Sequence, residues 1–69
     1  MTTIGEELRR AREEAGLTQE QLAFEAEISR QYVSLLELDK KSPTLEVLLR
    51  LCSAMNVSAG TIVTRIENT

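Results

Sequence analysis

The sequence contains no histidine and no tryptophan, and only one cysteine, one proline, one tyrosine and one phenylalanine among its 69 residues. Without imidazoles, a single thiol cannot complete a zinc finger or a His-based metal site. His-based acid–base and nucleophilic catalysis are excluded for the same reason. One cysteine forms no intramolecular disulfide, which favours a reducing compartment, and Cys52 reads as a small core residue rather than a redox sensor. No apolar run approaches the ~18 residues needed to span a bilayer. The opening string MTTIGEELRR places acids and bases where a signal peptide carries its apolar segment. The expectation is a cytoplasmic chain with no membrane, metal, cofactor or small-molecule ligand.

What is present is 42% hydrophobic and 28% charged residues with a net charge of -3. That length makes residues 1–69 one domain, with a radius of gyration of roughly 11 Å. Such a globule is too small to enclose a substrate cavity comfortably, and a partner subunit burying more apolar surface would help its thin stability margin. Charge is unevenly spread. Residues 1–27 carry seven acids against three bases, a balance of -4. Residues 28–43 carry Arg30, Lys40 and Lys41 against Glu37 and Asp39, a balance of +1, and the remainder sums to zero. An acidic whole with a locally basic segment is compatible with nucleic acid, though its long-range attraction is weak. The acids themselves read as solvated helix faces rather than a catalytic pair in a cleft, so the chain is not expected to be an enzyme.

Helical periodicity dominates. Ile4, Leu8, Ala11 and Ala15 line one face of a first helix that Gly16 ends. Thr18-Gln19-Glu20-Gln21 is a capping box that opens a second helix with Leu22, Ala23 and Ala26 inside. Ser29 caps a third helix carrying Tyr32, Val33 and Leu36, and the Asp39–Pro43 stretch is a turn. Thr44 caps a fourth helix whose apolar face is Leu45, Leu48, Leu49, Cys52 and Met55, stopping at Asn56. Ser58 caps a fifth segment, Thr61-Ile62-Val63-Thr64-Arg65-Ile66. Its β-branched content favours a strand, but Ile62 and Ile66 are four apart. Helix is the favoured reading, with a terminal strand pairing across a dimer as the other. The fold class is all-α, a five-helix bundle with a central helix-turn-helix.

Residues at fixed places add more. Leu17-Thr18-Gln19, Leu22-Ala23, Ser29, Tyr32-Val33-Ser34, Leu36-Glu37 and Pro43-Thr44-Leu45 resemble the helix-turn-helix family of phage Cro and phage repressors, including the small controller proteins of restriction–modification systems. The resemblance runs from Ile4 to about Ile66 and implies a lambda-repressor-like DNA-binding fold. Ala23 falls where the two central helices cross, and a larger side chain would part them. Arg12 resembles the family arginine that pairs with the glutamate after the recognition helix, here Glu37; the bland reading is two unrelated surface charges. Two positions depart from the family pattern. Glu27 stands where the central turn usually has glycine, and Asp39 replaces the glycine usual after the recognition helix.

The resemblance further implies a transcriptional regulator that binds a palindromic operator as a homodimer. Arg30, Gln31, Ser34 and Leu35 would face bases, with Arg30 matched to guanine, Gln31 to adenine and Leu35 to a thymine methyl. Thr18, Gln19, Tyr32, Lys40, Lys41 and Ser42 would hold the phosphate backbone. Each has an ordinary alternative: Arg30 as a solvated charge, Lys40–Lys41 as a solubilised loop, Tyr32 as a packed ring. Leu51, Met55, Ile62, Val63 and Ile66 are candidates for the dimer interface, or for completing the monomer core. Phe24 falls off the inner stripe, open to partial exposure or a subunit contact. A competing function is a protein-interaction module such as an antitoxin, slightly favoured by the acids Glu6, Glu7, Glu13 and Glu14 of the first helix.

Overall fold

Among the described residues five helices follow one another: α1 (Ile4–Glu14), α2 (Gln19–Ala26), α3 (Arg30–Glu37), α4 (Leu45–Met55) and α5 (Ala59–Glu67). They are seen in a computed structural model that describes residues 2–67. Every helix begins on a Ser or Thr hydroxyl that accepts an amide three residues on. Thr3 takes Glu6, Thr18 takes Gln21, Ser29 takes Tyr32, Thr44 takes Val47 and Ser58 takes Thr61, at 3.0–3.2 Å. Each such cap contributes about 1 kcal/mol by satisfying a donor the helix cannot. At Thr18 the box closes both ways, because the Gln21 side-chain oxygen accepts the Thr18 N–H at 2.8 Å. Thr3 and Glu6 form a second capping box that the sequence reading did not identify.

The helix ends share a device as well. Gly16, Glu27, Asp39 and Asn56 all sit in the left-handed region, with φ of 74°, 59°, 58° and 57°. In each case the next residue's N–H reaches back five residues, as in Ile28 to Ala23 at 3.0 Å and Lys40 to Leu35 at 2.9 Å. This closure satisfies the last carbonyls and turns the chain sharply. Glycine takes that φ freely, and Asn and Asp tolerate it. Glu27 does so against steric cost, which is how the turn between α2 and α3 is made without glycine.

The core is Leu8 and Ala11 from α1, Leu22, Ala23 and Ala26 from α2, Val33 and Leu36 from α3, Leu48, Leu51, Cys52 and Met55 from α4, and Ile62 from α5. Helix α2 packs on α3 and α4, while α1 packs on α3 and α5. Ala23 is buried at the α2 crossing. The radius of gyration is 10.6 Å. Segment 61–66 lies in a helix, because the Ile62–Ile66 face finds the core on one side and burial outweighs β propensity. No single helix among the described residues is long and apolar enough to cross a membrane; α4 and α5 satisfy length and composition only together, bent by 108°.

Three expectations are corrected. Ala15 ends α1 and is exposed rather than lining the inner face. On α4 the buried stripe includes Leu51 in place of Leu45 and Leu49, which are 70% and 51% exposed. Glu7 is not a solvated acid. Its carboxylate is buried, accepts the Thr2 hydroxyl at 2.9 Å and lies 3.7 Å from Arg65 of α5. Arg65 also reaches Glu14 at 3.7 Å, so a charge pair accompanies the apolar docking of α5 on α1. Burial pushes the Cys52 thiol above its ordinary value, consistent with a neutral core side chain.

Replacing Glu27 by glycine removes the left-handed strain and adds some unfolded-state entropy. The expected net gain is about 0.5–1 kcal/mol, a rise of a few degrees in Tm by thermal denaturation. A fall in Tm would contradict this account of the turn.

Candidate nucleic-acid interface

Helix α3 is eight residues long, and its two faces are set by spacing. Val33 and Leu36, three apart, are each 1% exposed and plug the helix into the core. On the outer side Arg30 and Gln31 are exposed, and Ser34 and Leu35 are half-buried. Ser29 caps the helix, so its amino-terminal residues project from a defined end rather than a frayed one. Tyr32 is half-buried with its ring against the core.

Behind this helix lies a buried charge node. Arg12 Nε donates to Glu37 Oε2 at 2.7 Å, and Arg12 Nη2 donates to Glu37 Oε1 at 3.1 Å. Arg12 Nη1 donates to the Leu17 carbonyl at 2.8 Å, and Gln19 Nε2 donates to Glu37 Oε1 at 3.1 Å. The side chains of Arg12 and Glu37 are 12% and 5% exposed. Four segments are thereby joined: α1, the α1–α2 turn, α2 and the end of α3. The hydrogen bond with Glu37 raises the Arg12 guanidinium above its ordinary range, against the burial that lowers it. The fork geometry of guanidinium and carboxylate fixes angle as well as distance.

In front of the node, Thr18, Gln19 and Arg30 line one open cleft together with Arg12. The amino-terminal end of α2 opens into this cleft, where its dipole favours an anion, and the cleft is also lined by Glu20 of its first turn and by Arg30 from the start of α3. Lys40, Lys41 and Ser42 are exposed in the loop after α3. Gln19 serves the node through its amide nitrogen, a structural role beside the phosphate contact that the resemblance implies for it. Leu51, Met55 and Ile62, candidates for a dimer interface, are enclosed in the chain's own core at 1%, 3% and 0% exposure. A side chain closed off by its own chain offers no surface to a partner, so that part of the expectation is corrected. Val63 remains 40% exposed and Ile66 half-buried. Phe24 is 81% exposed on α2.

A helix-turn-helix family model matches residues 8–62. The chain belongs to the helix-turn-helix family. It is 38% identical over 66 residues to y4dJ of Sinorhizobium fredii, described as an uncharacterized HTH-type transcriptional regulator; the match covers 96% of this chain and 86% of y4dJ. The structure of the restriction–modification controller protein C.AhdI of Aeromonas hydrophila superimposes with a TM-score of 0.83 at 32% identity, covering 86% of this chain and 89% of that one. SinR, a master regulator for biofilm formation solved in complex with DNA, matches with a TM-score of 0.83 at 26% identity, covering 88% and 98%. In this helix-turn-helix protein the central pair is α2 and α3, and the node braces it from α1.

Removing Glu37 strands a buried guanidinium. Glu37→Ala is expected to cost about 3–5 kcal/mol of unfolding free energy, read from urea denaturation. A loss below about 1 kcal/mol, the scale of an exposed pair, would show that the node does not brace the fold.

Proposed function

We propose that this helix-turn-helix transcriptional regulator binds a palindromic DNA operator as a homodimer and reads each half-site with the start of α3. The observation that carries the reading is the exposed Arg30–Gln31 end of a helix whose opposite side is locked by Val33, Leu36 and the Arg12–Glu37 pair. A rigid helix with a polar outer edge fits the major groove. Arg30 is assigned to guanine, Gln31 to adenine, Ser34 to a further base edge and Leu35 to a thymine methyl. Thr18, Gln19, Tyr32, Lys40, Lys41 and Ser42 are assigned to the sugar–phosphate backbone, which sets register rather than sequence. SinR, whose structure contains DNA, supports the ligand class, and C.AhdI supports a controller-type role.

One α3 contacts few base pairs, so a two-fold pair with half-sites about one helical turn apart supplies the specificity. Val63 and Ile66 on α5 are the accessible members of the candidate interface. The protein acts without catalysis, in the cytoplasm, through its concentration and operator occupancy. A second reading, a protein-interaction module such as an antitoxin, draws on the exposed Phe24 ring, which the DNA reading does not use. A stoichiometric partner protein on co-purification, without DNA affinity, would select it.

Arg30→Ala is expected to weaken operator binding by about 1–3 kcal/mol and relax selection at one base position, whereas Lys40→Ala weakens all sequences alike and flattens the salt dependence by about one ion. Selection from a random duplex pool, followed by salt titration, measures both; unchanged affinity in both variants contradicts the docking. Val63→Glu places a carboxylate in the proposed dimer contact and should shift the protein to monomer in sedimentation equilibrium. A Val63→Glu dimer as tight as the wild type would remove α5 from the interface.

A further inference from the structure

The end of α3 abuts the start of α1 with almost no space between. A Cβ on Gly5 would lie 2.6 Å from the Leu36 carbonyl oxygen and 2.7 Å from that of Glu37, so only glycine fits this approach. Into the same gap Asp39 directs its carboxylate. Asp39 Oδ1 accepts the Gly5 N–H at 2.9 Å, and Asp39 Oδ2 accepts the Thr3 hydroxyl at 2.5 Å. Both partners lie at the amino-terminal end of α1, where unpaired amides and the helix dipole favour a carboxylate. A glycine at residue 39 could adopt the same φ but could form neither bond. Lys40 and Lys41 follow directly in the chain, and Lys40 N–H is itself bonded to Leu35 at 2.9 Å.

We propose that Asp39 is a positioning residue for the DNA backbone contact: its carboxylate tethers the start of the α3–α4 loop to the α1 amino terminus and so holds Lys40 and Lys41 in place for phosphates. This rests on the DNA-binding reading above. The competing possibility has the opposite sign. An acid that merely sits beside two lysines repels phosphate, and its removal tightens binding.

The test uses the full chain and a mixed-sequence DNA duplex about two helical turns long, because backbone contacts dominate non-specific affinity. Asp39→Gly keeps the left-handed turn and loses the tether; Asp39→Asn keeps an oxygen acceptor for Gly5 and loses the charge. Fluorescence anisotropy across a salt series should show Asp39→Gly binding roughly threefold to tenfold more weakly, with a shallower salt slope. Asp39→Asn should remain within about twofold of the wild type, consistent with small effects of a single surface charge at moderate salt. The Gly5 amide should exchange with solvent faster in Asp39→Gly, and Tm should change little.

Equal or tighter binding by Asp39→Gly overturns the inference. So does a loss of Tm with the salt slope unchanged, which marks a structural role alone. Should the wild type bind neither this duplex nor any duplex selected from a random pool, the DNA-binding reading fails and the inference with it; a wild type that binds while Asp39→Gly loses nothing fails the inference only.

Discussion

Arg12 extends from the first helix beneath the turn and grips the carboxylate that closes the third, while the Leu17 carbonyl and the Gln19 amide complete the ring of partners. Taking two charges out of water is expensive, and a well-packed apolar pair of the same size could match the stability gained. What apolar side chains cannot supply is direction. The forked pair sets the orientation of α3 against α1 and α2, and hence the angle at which Arg30 and Gln31 leave the surface. In a chain of 69 residues the core is too small to set that angle by bulk alone.

The charge distribution raises the importance of this geometry. With a net charge of -3, the chain has little long-range pull on a polyanion, and salt screens surface charges beyond about 8–10 Å. DNA binding then depends on short-range complementarity: the amino-terminal end of α2, an arginine from the start of α3 lining the same cleft, and a lysine pair on the loop after α3. A mobile α3 would lose ordering entropy on docking, and pre-ordering removes that cost.

Much of this was legible from residues whose role is local. The hydroxyl at each helix start, the Ile4–Leu8–Ala11 stripe and the Val33–Leu36 pair follow from hydrogen-bond demand and from the 3.6-residue period. Elsewhere the period admits more than one answer. In α4 the leucines at 45, 48, 49 and 51 share one broad face about 160° wide at 100° per residue, so both the expected stripe and the observed one fit within it. The choice is made by the position of α2 and α5, which buries Leu51 and leaves Leu45 and Leu49 exposed. Glu7 was misread because its burial comes with the docking of α5 on α1, which brings in Arg65 from 58 positions away beside the local partners Thr2 and Arg10. The tether from Asp39 to Gly5 was hidden for the same reason: residue 39 departs from the family glycine, and nothing in its neighbours points to the start of the chain.

The most direct test of this account is a comparison of the protein, isotope-labelled for NMR, free and bound to a duplex selected from a random pool. The account predicts that α1, α2 and α3 keep their relative positions within about 1 Å, and that the Arg12 Nε–H is slow to exchange in both states. Reorientation of α3 against α1 on binding, or rapid exchange at Arg12 Nε in the free protein, would show that the recognition helix is shaped by DNA rather than held ready for it.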